Sequence, residues 1–235
     1  MVTTDLLKSV PLFSHLPAEQ LATLAKCAAL RRYPRGTLIL RAGEQTDGLY
    51  IMLAGRAKVL IPDEEGHEVI LSLIGPREFF GEMGLLDDNP RSASVETLEA
   101  CELMRVSKAD FLGCLSDNFE MAMRILRGLV KRLREADRQI ESLALMDVYG
   151  RVARVLLDLA EDIDGKPVIH KAPPKQEIAR MIGASREMVS RVMKDLQNSG
   201  HIRVDKRRIV LLDKLRPAPG KGSQLAARRP WSFKV

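Results

Sequence analysis

Between Asp117 and Met146 apolar residues return at Phe119, Ala122, Leu126, Leu129, Leu133, Ala136, Ile140 and Leu143, in steps of alternately three and four. That spacing is the heptad seam of a coiled coil, and it predicts one long helix over 117–146 with Asp117 as N-cap and Glu120 three residues later. At about 1.5 Å per residue such a helix spans roughly 43 Å, more than most helices inside one domain. Unbroken heptads point to pairing with a second copy along the stripe. Gly128 falls off the stripe, while Arg132 at g and Asp137 at e occupy the places that carry ion pairs between parallel helices.

Before this helix the period changes. A helical segment at 17–30 gives way to strand-like runs at 37–40, 49–53, 57–61, 68–73, 92–96 and 101–106, with glycines 36, 43, 48, 55, 66 and 75 at the breaks. Short strands at near-regular spacing predict a β-sandwich or barrel of jelly-roll type, and Ser107 caps a short helix leading to the long one. Beyond the long helix, Gly150 interrupts the period, an amphipathic helix covers 151–161, and 165–174 reads as a loop with a short extended piece. Residues 175–196 have the pattern of a helix-turn-helix: Gly183 at the sharp turn, Ser185 as N-cap, and Ile178, Ile182, Val189, Val192 and Leu196 as a shared core. Residues 201–212 form a hairpin wing with Asp205 and Lys206 at its middle, and Lys206, Arg207 and Arg208 are placed to sit on phosphate. The expected fold is α+β: a sensor at 1–116, a dimerisation helix at 117–146, a winged helix-turn-helix at 147–216 and a disordered tail at 217–235.

Charge sharpens this division. The net charge is +6, yet from Val148 onward 19 Lys and Arg stand against 9 Asp and Glu, whereas the earlier part carries 18 against 22. A basic excess confined to the C-terminal part implies a polyanion partner, nucleic acid first. The hydrophobic content of 46% suffices for real cores. The N-terminus lacks a basic segment followed by a long apolar run, and no stretch approaches about 18 uncharged apolar residues, so a cytoplasmic protein is expected, with no membrane span. Cys27, Cys101 and Cys114 are odd in number and widely spaced, which fits neither a disulfide framework nor a CxxC metal site.

The densest candidate chemistry lies at 79–94, FFGEMGLLDDNPRSAS. A glycine lets the backbone approach an anion, a short helix offers N–H groups, and an arginine supplies a fork for phosphate oxygens. The stretch resembles the phosphate-binding cassette of cyclic-nucleotide-binding domains, whose pattern is FGE, two or three apolar residues, a short polar insert, then PR with a small residue and Ala. The resemblance implies that Arg91 binds the cyclic phosphate, Glu82 the ribose 2′-OH, and that Gly81 and Ser92 donate hydrogen bonds. Together with the long helix and helix-turn-helix, residues 12–212 resemble the cyclic-AMP receptor protein and fumarate-nitrate regulator family of bacterial transcription factors.

That resemblance implies a homodimer, double-stranded DNA and RNA polymerase as partners, a cyclic-nucleotide effector, and no metal or covalent cofactor. Arg186, Glu187 and Arg191 are then expected to read base edges of a TGTGA-like palindrome from a helix opened by Ser185, with Lys175 and Gln176 on phosphate. Aligned with the family's best-known member, Ala136 and Asp137 stand where a Thr-Ser pair contacts adenine, so two hydroxyl contacts to cyclic AMP are missing. A carboxylate is acceptor-only and suits the two donors of guanine, which brings cyclic GMP and cyclic di-GMP forward as ligands; an interhelical ion pair with Arg132 is the competing role for Asp137.

Other classes fit less well. A cupin enzyme needs clustered metal ligands, but His15, His67, His170 and His201 are scattered, and no Ser-His-Asp or Ser-Lys constellation occurs. A cyclic-nucleotide module regulating a partner protein without binding DNA is the alternative function, and the helix-turn-helix argues against it. Within the family, an iron-sulfur branch needs an N-terminal cysteine cluster, and a haem branch needs a sensor histidine where His67 reads as a surface residue.

Overall fold

The computed structural model describes residues 2–62 and 68–212, in two compact units divided between Arg138 and Gln139. The turn holding His67 and the tail at 217–235, expected respectively to be surface-exposed and disordered, lie outside the described residues.

The first unit opens with α1 (Thr4–Ser9) and α2 (Ala18–Cys27). It continues through β1 (Ala29–Tyr33), β2 (Leu38–Leu40), β3 (Gly48–Ala54), β4 (Ala57–Pro62), β5 (Glu68–Ile74), β6 (Phe79–Phe80), the short α3 (Met83–Leu86), β7 (Ser94–Thr97) and β8 (Cys101–Ser107). Helices α4 (Lys108–Ser116) and α5 (Phe119–Leu145) follow. The strands form two antiparallel four-stranded sheets, ordered β1-β8-β3-β6 and β2-β7-β4-β5, which gives the jelly roll expected from the strand spacing. Strand β3 explains how the layers cohere. Leu49 and Ile51 join Phe13, Leu21, Phe111, Met121 and Ile125 in a core made with the helices. Tyr50 and Met52, alternating to the other face, join Leu40, Phe80, Val95 and Leu103 between the sheets. Burying each such large side chain contributes about 1.5–3 kcal/mol.

Several boundaries differ from the sequence expectation. The helix expected at 17–30 stops at Cys27, because Ala29 to Tyr33 pair with β8 as an edge strand, Leu30 opposite Met104. Helix α1, opened by Thr3 Oγ1 accepting from Leu6 N at 3.2 Å, is too short to show a period. Asp117 does not cap the long helix: it closes α4, and Asn118 Oδ1 takes the capping role by accepting from Met121 N at 2.9 Å. Strand β7 starts at Ser94 rather than 92. Gly48 is not in a turn but begins β3, where a side chain would meet the Val106 carbonyl.

Helix α5 carries the largest correction. At about 100° per residue it has two buried or buriable faces. Met121, Ile125 and Leu129 pack on the sensor core, and Gly128, where a Cβ would stand 2.8 Å from Phe79 Cζ, lets the helix press inward. The exposed stripe is Phe119, Leu126, Val130, Leu133 and Ile140. Of the eight expected seam residues, Phe119, Leu126, Leu133, Ala136, Ile140 and Leu143 are exposed, while Ala122 and Leu129 are partly buried. A second copy pairing along Leu126, Val130, Leu133 and Ile140 would place Asp137 at an a position rather than e. Arg132 faces its own sensor rather than a partner helix, so the expected Arg132–Asp137 interhelical pair does not stand.

The second unit contains α6 (Val148–Leu159), β9 (Glu161–Ile163), β10 (Lys166–Ile169), α7 (Lys175–Ile182), α8 (Arg186–Asn198), β11 (Ile202–Asp205) and β12 (Arg208–Leu211), with sheet order β11-β12-β10-β9. Gly150 does not break the chain. It lies in the first turn of α6, donating its N–H to the Asp147 side chain at 2.8 Å. The stretch read as a loop is a hairpin, β9 with β10, reversed at Asp164 (φ 52°) and Gly165 (φ 75°), the Asp-Gly chemistry of a primed turn. Of the expected helix-turn-helix core, Ile178, Ile182, Val189 and Leu196 are buried and Val192 partly so.

Candidate functional site

Strand β6 delivers the chain to Gly81, whose φ of 80° turns it into α3, and a side chain there would run into Arg91. Glu82 follows at 0% exposure. Its Oε1 pairs with Arg132 Nη1, while Arg132 Nη2 donates to the Phe79 carbonyl and the guanidinium lies 5.3 Å from the Phe79 ring centre. The other carboxylate oxygen, Oε2, is buried with no hydrogen-bond partner. Such an acceptor costs free energy unless a donor reaches it.

Arg91 is likewise buried, at 6% exposure. Its Nη1 donates to Gly81 O at 3.1 Å, and its Nη2 to Gly48 O at 3.2 Å and to Asp47 Oδ1 at 2.9 Å. The guanidinium also lies over Tyr50, 5.7 Å from the ring centre. Asp47 Oδ2 accepts in turn from Arg105 Nη2 at 2.7 Å. Burial works to raise the Asp47 carboxyl, but the hydrogen bond and charge of Arg105, then the charge of Arg91, outweigh it and hold the group below its ordinary value. A buried carboxylate with an unsatisfied oxygen and a buried guanidinium are the complements of a hydroxyl and a phosphodiester, and the residues present fit a cyclic nucleotide on that ground.

The remaining ligand candidates divide. Ser92 is exposed beside Arg91, and its Oγ donates to Met83 Sδ at 3.7 Å. Ala136 is exposed one turn beyond Arg132 on nearly the same side of α5. Asp137 is turned about 140° round the helix from Arg132, and lines an open concavity of about 800 Å³ with Leu126, Val130, Arg134 and Arg138. Sequence reasoning missed Asp47, Arg105 and Tyr50 entirely, and gave Arg132 the wrong partner.

In the second unit, Gly183 at φ 61° makes the turn between α7 and α8. Ser185 Oγ accepts from Met188 N at 3.2 Å, so its lone pair serves the cap. Lys175, Gln176, Arg186, Glu187 and Arg191 are exposed, opposite the buried Val189, Met193 and Leu196, and Lys175 Nζ donates to Ser190 Oγ of α8 at 2.9 Å. In the wing, Lys206, Arg207 and Arg208 are all exposed, and Arg207 Nε and Nη2 also donate to Ala172 O at 3.4 and 3.2 Å, which braces the wing.

All three cysteines are unpaired, and burial raises the Cys101 and Cys114 thiols above their ordinary value. Among the described residues no group of His, Cys, Asp or Glu could hold a metal ion, and no helix is long and apolar enough to cross a membrane.

Comparison with known proteins agrees with this geometry. Residues 30–118 match the family model of the cyclic nucleotide-binding domain, and residues 150–216 that of the Crp-like helix-turn-helix domain. The cAMP-activated global transcriptional regulator CRP of Pasteurella multocida is 34% identical over 186 residues, 77% of this chain and 89% of that protein. The cAMP-activated regulator Vfr of Pseudomonas aeruginosa is 35% identical over 195 residues, 80% of this chain and 91% of its own length. Among solved structures, the c-di-GMP-responsive global regulator CLP of Xanthomonas campestris superposes with a TM-score of 0.69 at 30% identity, covering 83% of this chain and 99% of that one. With a cyclic nucleotide-binding domain matched over 30–118 and a Crp-like helix-turn-helix over 150–216, the chain belongs to the CRP/FNR family of bacterial transcription regulators.

Proposed function

We propose that the chain is a homodimeric, cytoplasmic transcription regulator that binds a cyclic purine nucleotide between Glu82 and Arg91 and in response engages a palindromic, TGTGA-like operator beside RNA polymerase. The observation that carries this reading is a fully buried Glu82 with one unpartnered carboxylate oxygen, followed in the same segment by the buried fork of Arg91. In this reading the ribose 2′-OH donates to Glu82 Oε2 and the cyclic phosphate accepts from Arg91, with Gly81 and Ser92 adding hydrogen bonds. Arg132 ties the ribose acceptor to α5, so ligand binding biases that helix and the pairing of its exposed stripe. Two copies joined along Leu126, Val130 and Leu133 present two recognition helices about one DNA turn, roughly 34 Å, apart.

The effector ranking follows from Ala136 and Asp137. Neither offers the hydroxyls that would hold adenine, and Asp137, on the seam, reaches a nucleotide from the partner's helix rather than its own. A carboxylate there favours guanine, which places cyclic GMP or cyclic di-GMP ahead of cyclic AMP. Calorimetric titration with all three is the direct test. Asp137→Thr is expected to raise cyclic-AMP affinity about tenfold relative to cyclic GMP and, by removing facing carboxylates, to tighten the dimer in sedimentation; a tighter dimer with an unchanged ligand ranking would leave Asp137 a structural residue.

For DNA, Arg186 and Arg191 fork to guanine and Glu187 accepts from cytosine, while Lys175 and Gln176 hold phosphate. Selection from random duplexes is expected to return a two-fold symmetric site. Arg186→Ala should lose about 1–3 kcal/mol on that site and much less on unrelated DNA. Equal weakening on both, or no shift of DNA in a gel at all, would instead favour a module that acts through a partner protein.

A further inference from the structure

The hydrogens of Arg91 are already committed in a way that bears on ligand entry. A guanidinium can grip a phosphate bidentately along two edges, Nη1 with Nη2 or Nη2 with Nε, and both use an Nη2 hydrogen. Here Nη2 donates to Asp47 Oδ1 at 2.9 Å and to Gly48 O at 3.2 Å, so both of its hydrogens are taken. Gly48 O belongs to the backbone of β3, whose first residues pair with β8, and it cannot swing away. The Asp47 side chain can. It is more than half exposed, while its main chain is pinned by Lys108 N donating to Asp47 O at 3.2 Å. A second cation waits beside it: Arg105 Nη2 holds Asp47 Oδ2 at 2.7 Å and also donates to Asp47 O at 3.3 Å.

We propose that Asp47 is the internal counter-ion that a cyclic phosphate displaces from Arg91, and that Arg105 is the cation that retains Asp47 once displaced. A guanidinium that is 6% exposed needs a neighbouring negative charge, and Asp47 supplies it from a side chain mobile enough to yield. The incoming phosphate takes the freed Nη2 hydrogen, and the carboxylate stays paired through its other oxygen. Asp47 thus sets the concentration at which the ligand engages, and Arg105 lowers that threshold by competing with Arg91 for the same carboxylate. The inference deepens the functional reading and rests on Arg91 being the phosphate residue.

The test is calorimetric titration of the full chain, wild type, Asp47→Asn and Arg105→Gln, with cyclic GMP, cyclic di-GMP and cyclic AMP. Asp47→Asn is near-isosteric and removes the competing charge, so its affinity should rise about tenfold. Arg105→Gln leaves Asp47 to Arg91 alone, and its affinity should fall about three- to tenfold. Opposite signs are the signature, since damage to the fold would weaken both variants. Unchanged or weaker binding by Asp47→Asn, or unchanged or tighter binding by Arg105→Gln, overturns the proposal and makes Asp47 a residue that positions Arg91. A wild type that binds none of the three nucleotides strikes the functional reading itself, so the two failures are distinguishable.

Discussion

Arg132→Ala is expected to lower the melting temperature of the protein by roughly 10 °C and to loosen α5 from its sensor. The substitution leaves Glu82, at 0% exposure, with neither oxygen paired, and orphaning one partner of a buried ion pair costs about 3–5 kcal/mol. For a chain of this size about 2–4 °C of melting temperature accompanies each kcal/mol. The Phe79 carbonyl loses its donor as well, and the ring its cation. Thermal melting followed by circular dichroism measures the effect, and the double variant Arg132→Ala with Glu82→Gln should recover most of the loss, since no charge is then left buried. A loss of only one or two degrees would mean that Arg132, 40% exposed, is a surface pair of little weight.

The second large effect is on ligand affinity. Arg91→Ala should abolish measurable cyclic-nucleotide binding, a drop of at least tenfold and more than a hundredfold at the upper end, because a charge-assisted contact is worth about 1.5–3 kcal/mol and every 1.4 kcal/mol is tenfold. The alanine variant also strips donors from Gly81 O and Gly48 O, so some stability is lost with it. Arg91→Lys separates the two contributions. It keeps the charge but cannot span two carbonyls and a phosphate at once, so its affinity should fall to an intermediate value while its melting temperature stays nearer the wild type. Wild-type affinity in a folded Arg91→Ala protein would remove the cassette from the mechanism.

The parts of the site that the sequence discloses are those held by neighbours in the chain. Gly81, Glu82 and Arg91 sit within one short stretch, as do Gly183, Ser185 and the face of α8, and their spacing is readable because turn, cap and helix geometry are local. Asp47 lies 44 residues from Arg91, Arg105 58 from Asp47, and Arg132 50 from Glu82, and these pairings exist only once β3, β8 and α5 are assembled. The seam shows the same limit from the other side. A helix buried against a sensor on one face and apolar on another carries a stripe wider than one heptad row, so Leu129 reads as seam although it packs inward. The edge strand β1 was hidden for a related reason: Ala28, Ala29 and Leu30 suit a helix, and only pairing with β8 decides otherwise.

The two-faced character of α5 bears on how such a regulator can be retuned by mutation. Ile125, Leu129 and Arg132 lie on one side of the rod, and Leu126, Val130 and Leu133 lie roughly a third of a turn away, with no residue shared between the sets. Yet Ile125 and Leu126, Leu129 and Val130, and Arg132 and Leu133 are chain neighbours, so substitutions in the two sets are expected to couple rather than add. Selection that changes how firmly the helix grips its sensor therefore also changes what it offers to another copy, the coupling that a ligand-responsive regulator needs. A single helix thereby links the two surfaces, and Gly128, where a Cβ would stand 2.8 Å from Phe79 Cζ, marks how closely it is already pressed to the sensor.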